Sequence, residues 1–216
     1  MSVSARAGCL PRIGGALALD FCNTTTGRGT EAFVEHLFDH EDLLRWAVFN
    51  ELLTPDAAAG LAGRVTLDER TAAFRAAMRL RALLNRIFDA VARGRTADPA
   101  ALVELAGGYG ATWNRAELVS AAPGYAWRFE PADTRADAVI EPILRSAVAV
   151  LTGDLLERLK ACPGLHCGWV FLDASKNGSR VWCEMEVCGT RAKLRKRAAV
   201  RRRVAARREL YQGPGS

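Results

Sequence analysis

The chain has 216 residues, of which 50% are hydrophobic and 25% charged, as is usual for a globular protein. No run of about 18 uncharged apolar residues occurs, so the sequence excludes a membrane-spanning helix and we expect no membrane partner. The short apolar stretch near the N-terminus is interrupted by Asp20. We therefore expect the first strand of the fold there rather than a signal peptide, and a cytoplasmic protein.

The net charge of +6 is unevenly distributed along the chain. Residues 160–216 hold 13 lysines and arginines against 4 acidic residues, a balance of +9, whereas the preceding residues have 17 against 20, a balance of −3. This asymmetry indicates a polyanionic partner for the C-terminal segment, either nucleic acid or an anionic membrane surface. A helix at a membrane surface needs a broader apolar face than this segment has, which favours nucleic acid.

In chain order, the first predicted elements are a strand and three helices. Weak alternation over residues 15–22 predicts a strand closed by a polar turn. Residues 40–53 have apolar side chains at helical spacing, and a second helix opens at Thr54 with proline in its first turn. A capping-box pattern at Thr66 opens a long helix that ends at Gly94.

Three further elements are predicted before the cysteines. Asp98 and the proline after it begin a helix. A β-hairpin is predicted over residues 118–129, which a Pro-Gly pair interrupts. A last long helix is predicted over residues 137–160, because its leucines and valines recur at the steps of three and four that bury one helix face.

The four C-terminal cysteines form two C-x4-C pairs, Cys162 with Cys167 and Cys183 with Cys188. A tetrahedral Zn²⁺ binds four thiolates from two such knuckles. Between the pairs, the sequence predicts a strand at 169–172, a turn at 175–178 and a return strand at 180–182, so that a hairpin brings the knuckles together. We therefore predict one structural zinc ion per chain, bound by the four cysteines. The alternatives are two disulfides or a ligand role for His166.

A strongly basic helix is predicted directly after the second knuckle, with Thr190 as its N-cap. The order of knuckle, hairpin, knuckle and helix is the treble-clef arrangement. Basic side chains surround this helix beside a thin apolar line, so we expect phosphates to neutralise it, the alternative being a solvated tail. The predicted nucleic-acid contacts, from the hairpin tip and the helix, are Lys176, Asn177, Ser179, Arg180, Arg191, Lys193, Arg195, Lys196, Arg197, Arg201, Arg202 and Arg203.

Together these elements predict an α+β fold that is mainly α. A helical N-terminal domain with a few strands, residues 1–158, would sense or dimerise. A treble-clef-like zinc finger running into the basic helix follows at 159–210, and a disordered tail is predicted at 211–216.

Four further residues are of types that often serve in functional sites. His36 and His40 lie four apart without an evident third ligand, so we expect a solvated pair near a helix start. Cys22 is expected to be a buried small side chain, and Asp173 to hold its loop through backbone bonds.

A candidate effector pocket is formed by a polar cluster and an aromatic residue, Asp20, Asn23, Thr24 and Trp46. The alternative is a core tryptophan beside a turn-forming Asn-Thr pair. The sequence contains no nucleophile elbow, P-loop or dinucleotide fingerprint, so we expect the protein not to be an enzyme.

From Cys162 to Arg191 the sequence reads C-x4-C-G-x-x-F-x-D-x-S-x-N-G-S-R-x-W-C-x-M-x-x-C-G-x-R. This pattern closely resembles the CGNR zinc finger of bacterial transcription regulators, in which the finger follows an N-terminal domain called ABATE, described as a stress-induced regulator domain. Residues 17–24 and 43–46 resemble the beginning of that domain. The resemblance implies a zinc-dependent transcription regulator that binds double-stranded DNA, with a small-molecule effector and a homodimer as further candidates.

The chain departs from the family signature at one position, since Thr190 stands where the family has Asn. Both residue types cap helices, so we expect a structural role for Thr190. If the Asn instead read an adenine edge, the target sequence would differ. The alternative function is a zinc-stabilised RNA-binding or protein-adaptor module. Against RNA, we expect Trp169, Phe171 and Trp182 to be packed rather than offered for base stacking.

Overall fold

The computed structural model describes residues 7–211 of the chain. The predicted tail lies outside these residues except for its first position, Tyr211, which the structure assigns to a helix. The α-helices are α1 (Leu17–Cys22), α2 (His40–Phe49), α3 (Pro55–Arg64), α4 (Leu67–Ala92), α5 (Pro99–Trp113), α6 (Ile140–Thr152) and α7 (Thr190–Tyr211). Short 3₁₀ turns lie at Ala7–Cys9 and Leu156–Arg158, and a π turn at Met185–Gly189.

The strands form three separate antiparallel pairs. They are β1 (Thr25–Thr26) with β2 (Val34–Glu35), β3 (Glu117–Ala121) with β4 (Gly124–Arg128), and β5 (Leu159–Ala161) with β6 (Val170–Leu172). The fold is therefore α+β and mainly helical, as predicted.

The long helix α4 lies at the centre of the main core. Its buried side chains pack against α1, α2, α5 and α6 and against the β5–β6 pair. Its start is fixed by the predicted capping box, in which the Thr66 hydroxyl accepts from the Glu69 N–H and the Glu69 carboxylate accepts from the Thr66 N–H. Thr54 and Asp98 mark the starts of α3 and α5, also as predicted, and their side chains accept from the N–H groups of Ala57 and Ala100.

The prediction of a strand at residues 15–22 is wrong, because residues 17–22 form helix α1. Five of these six residues are apolar, so the sequence shows no clear helical or strand period, and Ala18, Leu19, Phe21 and Cys22 are all fully buried. The turn before it needs glycine at Gly14, where a Cβ atom would lie 2.8 Å from that of Leu19. Cys22 is a buried small side chain as predicted, although in a helix, and burial raises the pKa of its thiol to about 12.

The last helix of the body is shorter than predicted. α6 starts at Ile140 and stops at Thr152, where Gly153 adopts an extended conformation. The apolar residues beyond Thr152 keep the helical spacing in the sequence, but they do not lie on a helix face. Leu155 is exposed, and Leu159 is buried from strand β5 rather than from a helix.

Strand β6 belongs to two hydrophobic cores at once. Side chains alternate along a strand, so Val170 and Leu172 enter the main core while Phe171 enters a second core built around the four cysteines. In β5 the same alternation places Leu159 in the main core and turns Lys160 toward the finger. The predicted boundary at residue 158 therefore falls within continuous packing.

The predicted return strand at 180–182 is not formed, because the N-terminal region occupies that edge of β6. The side-chain amide of Asn23 donates to the Val170 carbonyl and accepts from the Val170 N–H, both at 2.9 Å. The Leu172 N–H donates to the Gly14 carbonyl at 2.8 Å. These bonds satisfy the strand edge as a neighbouring strand would.

The Asn23→Ala variant should lose about 2–4 kcal/mol of unfolding free energy, because it leaves two buried backbone groups of Val170 without partners. Urea denaturation of the zinc-loaded protein measures this. Asn177→Ala is the matched control at an exposed position and should shift stability by less than about 0.5 kcal/mol. A loss no larger than that of the control would refute the role given to Asn23.

A second prediction concerns Asp20, whose carboxylate accepts from the Gly14 N–H at 2.8 Å. Burial raises the pKa of this carboxyl group from 3.8 to about 6. The folded state then binds the proton more tightly than the unfolded chain, so stability falls as the pH rises from about 4 through about 6.

Asp20→Asn keeps an acceptor oxygen and removes the buried charge. We expect it to raise the unfolding free energy by about 1–2 kcal/mol at pH 7.5 and to change it little at pH 4. Denaturation at both pH values tests this. Asp154→Asn, at an exposed carboxylate, should show no such pH-dependent gain.

Candidate metal centre

The four cysteines of the finger converge as predicted. The Sγ atoms of Cys162, Cys167, Cys183 and Cys188 all lie within 4.8 Å of one another, and all four residues are buried. Cys183 Sγ lies 3.6 Å from both Cys167 Sγ and Cys188 Sγ. Four sulfurs around a tetrahedral zinc ion, with Zn–S of about 2.3 Å, stand about 3.8 Å apart. The donor set and its spacing therefore fit one Zn²⁺.

Neither alternative to the four-thiolate site agrees with the geometry. The four thiols are free, and separations of 3.6 Å are far longer than a disulfide bond of about 2.05 Å. The side chain of His166 is exposed, and the residue takes a left-handed backbone conformation in the turn between Cys162 and Cys167.

Each knuckle is shaped by the element that carries it. The first is the loop of the β5–β6 hairpin, closed by the Cys162 N–H, which donates to the Trp169 carbonyl at 2.8 Å. Hydrogen bonds with the thiols of Cys167 and Cys183 hold the pKa of the Cys162 thiol well below its ordinary value. The cluster thus favours thiolate, the form that binds metal, at Cys162. The pKa values of the other three thiols are raised, by the hydrogen bonds with Cys162 at Cys167 and Cys183 and by burial at Cys188.

The second knuckle is the π turn, and its geometry depends on Gly189. A Cβ atom at Gly189 would lie 2.2 Å from the Met185 sulfur and 3.2 Å from Trp182 Cδ1, so a larger residue there would require both side chains to move. The predicted N-cap role of Thr190 is wrong. The helical path already begins at Met185, and the Thr190 hydroxyl donates to the Met185 carbonyl at 3.3 Å.

The loop between the knuckles is held by Asp173, as predicted. Its carboxylate accepts from the N–H groups of Ser175 and Arg180 and from Lys160 Nζ, the last at 2.6 Å. Burial raises the pKa of Asp173, but the hydrogen bonds from Lys160 and Ser175 outweigh burial and leave its pKa well below the ordinary value. The turn at 175–178 forms as predicted, with the Gly178 N–H donating to the Ser175 carbonyl.

Arg180 is held inside the finger rather than presented at the loop tip. Its guanidinium lies over the Phe171 ring, 4.2 Å from the centroid, and donates to the carbonyls of Ile13, Trp182 and Cys183. This arginine fastens the loop to the N-terminal segment. The neighbouring predicted contacts Lys176, Asn177 and Ser179 are exposed.

The N-terminal domain contacts the first knuckle through backbone and side-chain hydrogen bonds. The Gly27 N–H donates to the Cys167 carbonyl at 2.8 Å, and Trp169 Nε1 donates to the Thr25 carbonyl at 2.9 Å. Arg28 donates to the carbonyls of Cys22 and Gly168. The sequence did not indicate the contacts with the first knuckle, because each of them joins residues more than 100 positions apart.

The residues suggested as an effector pocket hold the fold together instead. The Asn23 side chain donates a hydrogen bond to the Val170 carbonyl of β6, and the Asp20 carboxylate accepts one from the Gly14 N–H. Thr24 Oγ1 accepts from Arg81 and donates to the Phe21 carbonyl. Trp46 is 1% exposed and packs on Phe21. The structure gives no support to a ligand site at this place.

The expectation of a solvated histidine pair is also wrong. His36 and His40 are both buried. His36 Nε2 lies 3.1 Å from Thr26 Oγ1, and His40 Nε2 lies 3.0 Å from the Ala136 carbonyl. Both rings therefore contribute to the interior, where hydrogen bonds offset their burial.

Helix α7 carries most of the predicted nucleic-acid contacts. It continues the π turn and packs against it, and its cationic side chains are exposed, namely Arg191, Lys193, Arg195, Lys196, Arg197, Arg201, Arg202 and Arg203. A cavity of about 600 Å³ lies between the first turns of α7, the knuckles and the β1–β2 hairpin. No sequence signal pointed to it, because its walls come from four separate segments.

Two family models match the chain. One, ABATE, is described as "Putative stress-induced transcription regulator" and matches residues 15–154; the other, the CGNR zinc finger, matches residues 158–208. The first alone spans more than half of the chain. The chain belongs to the ABATE family. The resemblance predicted from the sequence is thereby confirmed, and a search of curated proteins finds no match.

The two matches describe an ABATE regulator domain followed by a zinc finger. Neither match is to a family of enzymes. The four-cysteine cluster lies within the part matched by the finger. Over residues 7–211, no helix combines the length and apolarity needed to cross a bilayer.

The protein purified without chelator should contain one zinc ion per chain, and Cys183→Ser should lose it together with much of its stability, because metal binding and folding are coupled. Elemental analysis and thermal denaturation measure both quantities. Cys9→Ser, at an exposed cysteine outside the cluster, should retain the metal. Full zinc content in the Cys183→Ser variant would refute the ligand assignment.

Proposed function

We propose that this protein is a cytoplasmic, zinc-dependent transcription regulator in which the finger presents α7 to double-stranded DNA. The proposal rests on the length, the positive charge and the exposure of helix α7. It leaves the finger as a 22-residue helix whose first acidic residue is Glu209, and its side chains from Lys193 to Val204 are exposed. A helix of that length extends for about 33 Å.

The charge on α7 works against the helix unless an anion is present. Pairs of like charge stand four residues apart, as at Arg191 with Arg195 and at Lys193 with Arg197, and such pairs destabilise a helix. Duplex DNA supplies phosphates at a density that would neutralise several of them and release counterions. An α-helix also fits the major groove, which is about 12 Å wide.

The aromatic residues of the finger favour duplex DNA over single-stranded RNA. Phe171 is fully buried and Trp169 is 9% exposed, while Trp182 is half-buried against the cysteine core. Sequence-tolerant binding of single strands needs exposed rings on which bases can stack. The same rings here support the metal centre.

Within the proposed interface, the residues divide into two groups. The first group is exposed and available for contacts with phosphates; it consists of Lys176, Asn177, Ser179, Arg191, Lys193, Arg195, Lys196, Arg197, Arg201, Arg202 and Arg203. Arg180 is better described as a positioning residue, because its donors are bonded within the finger. Homodimerisation and control by an effector stay predictions.

Replacing Arg195, Lys196 and Arg197 together by Ala should weaken duplex binding at all sequences and make its salt dependence shallower, by up to about three ion equivalents, because these are phosphate contacts. Fluorescence anisotropy at several salt concentrations gives both quantities. Single-stranded RNA as competitor should displace the DNA poorly.

The matched control removes the same charge from the body. Arg86, Arg93 and Arg95 are exposed arginines on and after α4, and changing all three to Ala lowers the net charge equally. That variant should bind DNA nearly as the parent does. If both triple variants bound like the parent, α7 would not be the DNA-binding surface.

A further inference from the structure

The cavity beside the metal centre has the size and lining of a ligand site. Its volume of about 600 Å³ lies in the range of small-molecule sites, about 300–1,000 Å³. One wall is apolar and includes Leu10, Val34, Leu165 and Val187. The N-terminal segment, the β1–β2 hairpin and both knuckles meet there, so the cavity joins the two family-matched regions.

The first turns of α7 add two permanent positive charges to the lining. Arg191 and Arg195 both line the cavity, and a spacing of four residues places them one above the other on the same face of α7. Paired guanidinium groups bind a carboxylate through short, charge-assisted hydrogen bonds. Glu184 also lines the cavity and would suit a cationic group instead.

We propose that this cavity binds a small amphipathic carboxylate. The alkyl or aromatic part of this ligand lies against Val34, Leu165 and Val187, and the carboxylate of the ligand binds Arg191 and Arg195. The two arginines outnumber Glu184, so the charged part of the lining favours an anionic group.

The site has a consequence for regulation, and that consequence rests on the proposed DNA binding. Arg191 and Arg195 are also among the proposed DNA contacts, so a bound carboxylate competes with phosphates for the same guanidinium groups. Ligand and DNA then weaken each other's binding by the same factor.

Calorimetric titration of the zinc-loaded, full-length protein without DNA tests the site. The probes are octanoate, octanol and octylamine, which share a chain and differ in head group. We expect saturable 1:1 binding of octanoate, about tenfold or more tighter than either of the others, because only the carboxylate gains charge-assisted bonds to arginine. Tighter binding of octylamine, or no saturable binding of octanoate, would overturn the proposal.

Two variants with matched controls locate the binding. Ala32 is exposed and lines the cavity, so Ala32→Trp should fill it and abolish octanoate binding, whereas Ala100→Trp on α5 should not. Arg195→Gln should weaken binding about tenfold, whereas Arg197→Gln, outside the lining, should not. Zinc content and circular dichroism verify that each variant is folded. Octanoate binding that survives Ala32→Trp would place the ligand elsewhere and overturn the assignment.

A second titration tests the coupling to DNA. Octanoate should weaken duplex binding by the parent and leave that of Ala32→Trp unchanged. An unchanged affinity of the parent would overturn the regulatory role. Should the parent fail to bind DNA at all, the proposed function would fall, while the titration without DNA would still decide whether the cavity binds the carboxylate.

Discussion

The packing of this protein depends on a three-residue strand that serves two cores. Val170 and Leu172 of β6 point into the helical core, and Phe171 between them points into the core that surrounds the cysteines. One edge of β6 pairs with β5, and the Asn23 amide and the Gly14 carbonyl complete the other. Neither core can shift relative to the other without breaking this strand. The free energy of metal binding is therefore coupled to the folding of both regions.

This connection bears on how a signal could travel from body to helix. Arg28 joins the carbonyl at the end of α1 to the Gly168 carbonyl beside the first knuckle, and Arg180 joins the finger loop to Ile13. The second knuckle continues without a break into α7. The direction of α7 is thus set by the same contacts that seat the finger on the body. A ligand between the β1–β2 hairpin and α7 would act on that direction without any hinge between domains.

The parts predictable from the sequence were those that short segments decide alone. Paired cysteines at fixed spacing gave the metal ligands, and Thr54, Thr66 and Asp98 marked helix starts because caps are local. The errors arose where distant residues decide. Residues 17–22 form a helix that packs against α4, α6 and β6, which lie far away in the sequence. The strand edge predicted for residues 180–182 is occupied by Asn23, 147 positions away from Val170. The cavity, assembled from four segments, had no local pattern at all.

The structure divides the basic residues of the C-terminal segment into cations that are bonded within the fold and cations that are exposed. The +9 of residues 160–216 suggested one basic surface, yet Lys160 is bonded to Asp173 and Arg180 to carbonyls, so these two cations close the finger. Arg191 and Arg195 border the cavity, and the exposed cations outside its lining include Lys176, Lys193, Lys196, Arg197, Arg201, Arg202 and Arg203. The number of counterions released from DNA depends on the cations that reach phosphates, and cations bonded within the fold do not contribute to it. The electrostatic contribution to the proposed DNA binding should therefore be smaller than the composition suggests, and occupation of the cavity would reduce it further.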